Sequence, residues 1–146
     1  MSNLKSLSVA GYGVMVLALI PMVYFRLLFS SSPIVIIIQI LAVLLMVWAR
    51  VTFGSRSFHF EADATKGGLV TTGPYKFIRH PIYSAIAFFV MAGVAAHLSL
   101  LSVVLTVLEL TGIGIRIYCE EHLITQEYPE YVEYARRTKR MIPRVF

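Results

Sequence analysis

Two short polar stretches flank a long apolar segment and decide how this chain folds. Residues 73–83 read GPYKFIRHPIY, and residues 116–121 read RIYCEE. Ionisable residues are scarce elsewhere, since 58% of the 146 residues are hydrophobic and only 14% are charged. If the apolar segment folds back on itself as a helical hairpin, its two polar flanks meet at one end. The pattern therefore predicts a polar site at the end of a hairpin.

The composition is that of a membrane protein. The mean hydropathy is +0.75, far above that of an ordinary soluble domain. Several apolar runs approach the roughly 20 residues that a helix needs to cross a bilayer. The first run is too long for the core of a signal peptide, so we expect it to be retained. We predict an all-α integral membrane bundle, with residues 1–146 as a single domain.

The order of apolar runs and turn residues predicts about four membrane spans. We place them at residues 7–28, 33–53, 81–96 and 100–118. Pro81 suits the first turn of a helix, where its missing N–H leaves no hydrogen bond unmade. Residues 54–80 are expected to form a polar loop with one strand-like or partly helical piece. After Glu120 the pattern becomes amphipathic, which favours an interfacial helix, with Pro129 breaking or restarting it.

Positive charge predicts the orientation of the bundle. Basic residues collect at the N-terminus, around the second loop and at the C-terminal end, and only Arg26 falls near an opposite-side turn. The positive-inside rule then puts both termini and the long loop in the cytosol. We expect a multi-pass protein of a prokaryotic plasma membrane. The net charge of +5 suits anionic lipid headgroups better than nucleic acid, which we do not expect as a partner.

Neither disulfides nor metal sites are expected. Cys119 is the only cysteine in the sequence, so no internal disulfide can form. The four histidines are scattered, without the cysteine or carboxylate grouping of a metal ligand set.

One helical stripe in the fourth span carries polar residues. Glu109, Gly112, Arg116 and Glu120 share a face at helical spacing. A carboxylate in mid-span costs roughly 2.5–3.5 kcal/mol, so Glu109 should face protein or a cavity, where it could be protonated or paired. Arg116 and Glu120 could equally form a simple ion pair one turn apart. Basic and aromatic residues before Pro81 could equally be membrane-interface anchors.

Taken together, these stretches resemble the isoprenylcysteine carboxyl methyltransferase family. The resemblance covers residues 66–146 and includes the turn with its Arg-His-Pro-x-Tyr motif, the hairpin, the 116–121 stretch and the Tyr-rich end at Ile142-Pro143. Related membrane methyltransferases that act on phospholipid amines share parts of the pattern. The resemblance implies S-adenosylmethionine as the cofactor, held without a Rossmann domain.

The resemblance also implies roles for individual residues. The cofactor-binding positions would be Leu69, Val70, Tyr75, His80, Pro81, Ile82, Tyr83 and Glu120. Arg116 would face the methyl acceptor and, with Glu120, would form the catalytic pair. The backbone of Gly67 and Gly68 would approach the cofactor.

The predicted function is methyl transfer from S-adenosylmethionine to a lipid-like acceptor at the cytosolic membrane face. Arg116 favours a carboxylate acceptor, as in prenylcysteine carboxyl methylation, because a guanidinium can hold a carboxylate at two points. The alternatives are a phospholipid amine N-methyltransferase, a nicotinamide-dependent membrane reductase and a non-enzymatic scaffold. The expected partners are the bilayer and a lipophilic or prenylated acceptor. Small-residue faces in the first and fourth spans also permit a homo-oligomer.

Overall fold

The described part of the chain, residues 2–54 and 68–146 of a computed structural model, is helical. Its five α-helices are α1 (Ser2–Tyr24), α2 (Pro33–Phe53), α3 (Pro81–Ala95), α4 (Leu100–Glu127) and α5 (Tyr131–Arg137). A short 3-10 helix, Gly73–Lys76, precedes α3. These described ranges contain no β-strand, only an isolated bridge between Ile78 and Lys139. The prediction of an all-α fold is confirmed.

Three of the helices are long and apolar enough to cross a membrane, namely Asn3–Tyr24, Pro33–Phe53 and Leu100–Glu127. The third predicted span is α3, which has 15 residues. It is about 22 Å long at 1.5 Å per residue, less than a hydrocarbon core of about 30 Å. With 28 residues, α4 is about 42 Å long and outreaches the core by about two turns. The four predicted spans are thus three full-length helices and one shorter helix, which confirms a helical membrane bundle.

The first helix ends earlier than the predicted boundary at residue 28. Its last turn is closed by hydrogen bonds from the Leu27 amide to the Met22 carbonyl (2.8 Å) and from the Arg26 amide to the Val23 carbonyl (3.0 Å). Arg26 has a φ of 55°. The left-handed Arg26 and these two hydrogen bonds form a Schellman motif. The motif ends the helix although the residues that follow are apolar.

The fourth span continues past its predicted end at residue 118. Ser99 caps its start, because the Ser99 side chain accepts from the Ser102 amide (3.1 Å) and the Ser102 side chain accepts from the Ser99 amide (2.9 Å). The helix then runs to Glu127, and Tyr128, next to Pro129, is extended. The predicted interfacial helix after Glu120 is therefore split between the last turns of α4 and the short α5.

Helices α1 and α4 pack closely and antiparallel. A Cβ placed on Gly112 would lie 2.7 Å from the Gly11 carbonyl oxygen, and one on Gly11 would lie 2.9 Å from Ile115 Cγ2. Small residues at this crossing let the two backbones approach, as is usual between membrane helices. The start of α1 consequently lies beside the end of α4.

Helices α2 and α3 form the second antiparallel pair. At one end the Gln39 amide donates to the carbonyls of Leu28 (2.6 Å) and Phe89 (3.3 Å). At the other end the Phe53 and Tyr75 rings lie 5.5 Å apart. The bundle thus has a polar end, where α1 and α3 begin and α2 and α4 end, and an opposite far end.

Three apolar clusters of described residues lie between the helices, and the smallest joins Cys119 and Leu123 of α4 to Leu4 of α1. The far end is filled by Met22, Leu28, Val90, Val94 and Leu105. Nearer the polar end lies a cluster that we call the Met15 cluster, formed by Met15, Ala87, Ile113 and Ile117, with Tyr83, Ile86 and Met141 packed against it. It joins α1, α3, α4 and the C-terminal residues directly beneath the polar end.

Candidate active site

The predicted meeting of the two polar stretches is present, and Tyr83 lies at its centre. The Tyr83 hydroxyl donates to a Glu120 carboxylate oxygen and accepts a hydrogen bond from Arg116 Nε at 2.7 Å. Arg116 Nη2 also contacts Glu120, at 3.1 Å. The i,i+4 ion pair considered from the sequence therefore exists, but a tyrosine from the other helix of the hairpin joins it.

Helix α1 completes the surroundings of the Arg116 guanidinium. Arg116 is only 5% exposed. Its Cζ lies 5.7 Å from the centre of the Tyr12 ring and 5.9 Å from that of Tyr83, and Nη1 lies 3.5 Å from the Ser8 carbonyl oxygen. Aromatic faces attract a cation and replace part of its lost hydration. Arg116 is thus a buried cation held between α1 and α3.

His80 lies between two carboxylates at the start of α3. Its Nε2 is 3.2 Å from a Glu121 oxygen, and its Nδ1 is 3.8 Å from a Glu120 oxygen. Arg79 Nε contacts the same Glu121 oxygen at 2.9 Å. Glu121 therefore ties the arginine and histidine of the Arg-His-Pro motif to α4, and Glu120 faces the other side of the imidazole.

Residues 138–141, which we call the C-terminal strap, cross the start of α3. Backbone carbonyls of the strap accept from the amides of Arg79 (2.8 Å) and His80 (2.9 Å) and from the Ser84 hydroxyl (2.8 Å). Arg140 also contacts Glu121 at 2.9 Å, and this hydrogen bond raises the pKa of the Arg140 guanidinium above its usual value. The strap is therefore fixed to both helices of the hairpin.

Two tyrosines hold the 3-10 turn beside this cluster. The Tyr134 hydroxyl of α5 donates to the Tyr75 carbonyl at 2.6 Å. Burial raises the pKa of the Tyr134 hydroxyl to about 12. Burial also raises the pKa of Tyr75 above its usual range, with smaller contributions from Tyr134 and Glu120. Both hydroxyls therefore stay protonated to a higher pH than that of an exposed tyrosine.

The structure brings together four of the predicted site residues, namely His80, Tyr83, Arg116 and Glu120. Buried Pro81 and partly exposed Ile82 open α3, and buried Tyr75 lies in the 3-10 turn. Leu69 and Val70, both partly exposed, lie in the irregular stretch before that turn. Gly68 has a φ of 84°, and Gly67 lies outside the described residues. The cofactor roles of these residues stay predictions.

Glu109 is completely buried in α4, which confirms that it faces protein. Its two carboxyl oxygens have no hydrogen-bond partner within the described ranges. It lies about 10 Å along the helix from Arg116, at 1.5 Å per residue, so it is not part of the polar cluster.

Sequence reasoning missed the contributions of α1 and of the strap. Ser8, Tyr12 and Met15 recur at spacings of four and three, which is one helical face, but nothing in the sequence pairs that face with Arg116. The strap contacts α3 mainly through backbone carbonyls, which leave no signature in the side chains. The central position of Glu121 was also missed, although the Glu-Glu pair itself was noted.

The charged groups at this site suit a cationic group bound at Glu120 beside an anionic group bound at Arg116. The Glu120 side chain is 21% exposed, so a carboxylate is available to an ammonium group or to ribose hydroxyls. Arg116 supplies a buried cation that can bind a carboxylate. Glu120 fits the ammonium or ribose groups of S-adenosylmethionine, and Arg116 fits an anionic group bound beside them.

A family of known proteins matches this chain over the residues of the polar cluster. The family model for isoprenylcysteine carboxyl methyltransferases matches residues 31–126. That range includes His80, Tyr83, Arg116 and Glu120, whereas the contacts from α1 and from the strap lie outside it. No solved structure matches the chain.

Two metal-resistance proteins also match part of this chain. The nickel-cobalt-cadmium resistance protein NccN of Alcaligenes xylosoxydans xylosoxydans is 33% identical over 79 residues, 53% of this chain and 37% of that protein. The cobalt-zinc-cadmium resistance protein CzcN of Cupriavidus metallidurans is 32% identical over 79 residues, 53% of this chain and 36% of that protein. The matched part thus spans little more than a third of either relative. On the family match and the membrane-spanning helices, the chain belongs to the isoprenylcysteine carboxyl methyltransferase family and is an integral membrane protein.

Proposed function

We propose that this protein transfers a methyl group from S-adenosylmethionine to the carboxylate of a lipid-like acceptor at the cytosolic face of the membrane. The observation that carries this proposal is the buried Arg116, joined to Glu120 through Tyr83 at the polar end of a membrane bundle. A buried cation next to a partly exposed carboxylate offers one site for an anionic acceptor and another for a cationic cofactor.

Glu120 is assigned to the cofactor. Its carboxylate, positioned by Tyr83 and Arg116, can accept hydrogen bonds from an ammonium group or from ribose hydroxyls. His80, whose Nδ1 is 3.8 Å from Glu120, borders the same side of the carboxylate. When bound, S-adenosylmethionine would supply an electrophilic methyl group on a sulfonium.

Arg116 is assigned to the acceptor. A carboxylate is already nucleophilic near pH 7, so the protein needs no general base to remove a proton. Arg116 can hold the carboxylate by two parallel hydrogen bonds and aim its oxygen at the methyl carbon. Such positioning can supply on the order of 7–11 kcal/mol. Burial of the guanidinium strengthens this contact because little water competes for it.

Methyl transfer to a phospholipid amine is the second candidate. It is favoured by the exposed part of Glu120, which could bind an ammonium on the acceptor instead of one on the cofactor. The buried cation of Arg116 would then oppose the acceptor charge, so we place the carboxylate first.

The metal-resistance names of the two relatives suggest another class of function. Within the described ranges, no group of three or more His, Cys, Asp or Glu side chains could hold a metal ion. Because the family and the polar cluster both point to methyl transfer, that is the activity we propose for this chain.

Cofactor titration of the purified protein in detergent tests the proposal. We expect saturable binding of S-adenosylmethionine and of its demethylated product. Glu120→Ala should weaken binding at least tenfold, the order expected when a charged hydrogen-bond partner is lost. His80→Ala should weaken it as well.

Glu133→Ala is the matched control, because it removes an exposed carboxylate from α5. Its cofactor affinity should equal that of the unsubstituted protein. The methyltransferase proposal would be contradicted if neither S-adenosylmethionine nor its demethylated product bound. It would also be contradicted if Glu120→Ala and His80→Ala both kept full affinity.

A further inference from the structure

A compact turn of residues 142–146 follows the C-terminal strap. Backbone hydrogen bonds close it, because the amides of Met141 and Ile142 both donate to the Phe146 carbonyl at 2.7 Å, and the Phe146 amide donates to the Ile142 carbonyl at 3.1 Å. The strap adds a cation–π contact, in which the Arg140 Cζ lies 5.7 Å from the centre of the Phe146 ring. The 142–146 turn is therefore closed on itself and attached to the strap.

The strap holds this turn beside the first two turns of α3. The Met141 carbonyl accepts from the Ser84 hydroxyl at 2.8 Å, in the first turn of that helix. The Met141 side chain packs against the Met15 cluster, which includes Ala87 of the second turn. Because α3 is an apolar helix of the membrane bundle, its first turns lie where the headgroups meet the hydrocarbon. The 142–146 turn consequently lies at the same boundary.

The apolar side chains of this turn face outwards. Ile142, Val145 and Phe146 are 39%, 72% and 54% exposed. Neighbouring exposed apolar groups of this kind usually mark a surface that contacts a partner or a membrane. At a headgroup boundary such groups insert about 5–10 Å into the outer hydrocarbon, as interfacial anchors do. The turn therefore presents an apolar surface to lipid.

Exposed cations flank this apolar surface. Lys139 and Arg144 are exposed, and neither forms an ion pair in the part of the chain that the structure describes. Arg140 contacts a carboxylate of α4, but 45% of its side chain stays exposed. The Arg137 guanidinium of α5, by contrast, is paired at 2.7 Å with a carboxylate one turn away. Positive charge without a counter-ion is thus concentrated between residues 139 and 144.

We propose that residues 139–146 bind the headgroup of an anionic phospholipid of the surrounding membrane. Lys139, Arg140 and Arg144 contact the phosphate, and the apolar side chains of the 142–146 turn lie against the acyl chains of the same leaflet. Anionic lipid is preferred because a zwitterionic headgroup adds a positive charge that these cations repel. This inference goes beyond the proposed function and does not depend on methyl transfer.

Lipid bound at this surface also acts on the start of α3. The carbonyls of Lys139 and Arg140 accept from the amides of Arg79 and His80 at 2.8 and 2.9 Å. A lipid that anchors the 142–146 turn therefore holds the strap against the Arg-His-Pro motif.

Hydrogen–deuterium exchange of the full chain in vesicles tests the proposal. One set of vesicles is phosphatidylcholine alone, and in the other set part of it is replaced by phosphatidylglycerol. The amides of Met141, Ile142 and Phe146 exchange when the turn opens. Phosphatidylglycerol should slow them at least about fivefold, the effect of one basic residue near an anionic surface, and added salt should reduce the difference. Equal exchange in the two kinds of vesicle would overturn the proposal.

Two single-charge variants separate a lipid site from overall attraction to the membrane. Arg144→Gln removes the charge, and glutamine bears the same backbone cost at the φ of 66° found there. It should lose most of the slowing caused by phosphatidylglycerol. Arg137→Gln is the matched control, since it removes one charge from an exposed but paired arginine, and it should keep the slowing. Equal slowing in both variants would mean that only net charge matters, which contradicts the proposal.

Tryptophan fluorescence tests the depth of the turn independently of charge. Trp48 is the only tryptophan in the sequence, so Phe146→Trp is made in a Trp48→Phe background. We expect quenching by phosphatidylcholine brominated on its acyl chains and little quenching by iodide in the water. Arg137→Trp in the same background is the control, and this exposed position of α5 should be quenched by iodide. Stronger quenching of Phe146→Trp by iodide than by the brominated lipid would contradict the proposal.

Discussion

At the far end of the bundle, polar side chains bond to backbone carbonyls, whereas at the polar end charged side chains bond to one another. At the far end, the Gln39 amide donates to two backbone carbonyls, and His97 Nε2 lies 2.7 Å from the Phe29 carbonyl oxygen. At the polar end, Glu120 and Glu121 share their oxygens among arginines, a histidine and a tyrosine.

The difference separates an end whose contacts hold the fold together from the end at which we propose the active site. A carbonyl inside a membrane bundle must find a donor, so contacts such as those of Gln39 stabilise the fold and have no second use. Paired charges can exchange one partner for a ligand of the same sign. Substitutions at the far end should therefore lower stability, and substitutions at the polar end should lower binding or transfer.

The largest effect is expected for Arg116→Ala. Methyl transfer into membrane extracts, measured with a labelled methyl group, should fall at least about 100-fold, or roughly 2.7 kcal/mol in activation free energy. Cofactor affinity should be retained. Arg137→Ala, which removes an exposed arginine of α5, should leave both quantities unchanged.

If a folded Arg116→Ala protein lost cofactor binding, Arg116 would bind the cofactor and not the methyl acceptor. Loss of folding would show that the polar end is also structural, which would break the comparison.

Gly93→Ala should act on stability alone. A Cβ at Gly93 would collide with the backbone of Leu28, which cannot retreat like a flexible side chain. The free energy of unfolding in detergent should fall by about 1–3 kcal/mol. Gly13→Ala is the matched control, because nothing lies within 4 Å of its added Cβ, and alanine favours the helix by up to about 1 kcal/mol. Unchanged stability of Gly93→Ala would contradict the close packing of the far end.

Glu121→Gln should loosen the C-terminal strap without unfolding the bundle. The neutral amide loses charge-assisted contacts to Arg79, His80 and Arg140. Tryptic cleavage after Lys139 or Arg140 should become about tenfold faster, corresponding to about 1.4 kcal/mol. Thermal unfolding of the helices should be little affected. A cleavage rate equal to that of the unsubstituted protein would show that the backbone bonds alone hold the strap.

The smallest effect is expected for Glu133→Gln. Glu133 contacts Arg137 at 2.7 Å, but the two side chains are 53% and 75% exposed. Solvent and salt screen such pairs, so the free energy of unfolding should change by less than about 0.5 kcal/mol. A larger change, measured by the same unfolding assay, would mean that α5 contributes more to the fold than its exposure indicates.

The sequence predicted that the two polar stretches meet at one end and that Arg116 and Glu120 could pair, because both depend on local patterns. Pro81 marks the start of α3, and helical spacing puts Arg116 and Glu120 on one face. Because the apolar segment between them is long enough to form two antiparallel helices, Tyr83 and Arg116 lie at the same end of the bundle. The helix ends were less predictable, since the Schellman motif at Arg26 uses an arginine where glycine is usual.

The contacts of Arg116 with α1 could not be predicted in the same way. Tyr12 and Ser8 reach it only because Gly11 and Gly112 let α1 and α4 approach closely, and that pairing is a tertiary choice. The contacts of the strap could not be predicted for another reason. The carbonyls of Lys139 and Arg140, which accept from the Arg79 and His80 amides just before α3, belong to the backbone and would be present in any sequence.

The length of α4 has a consequence for the depth at which this protein works. From Leu100 to Arg116 the helix rises about 24 Å at 1.5 Å per residue, close to the thickness of a hydrocarbon core of about 30 Å. If the first turn of α4 lies at the opposite membrane boundary, this one helix places the guanidinium near the lipid headgroups of the other face. A thicker bilayer would then submerge it and a thinner one would expose it to water, so we expect the bilayer thickness to change the rate of the proposed methyl transfer.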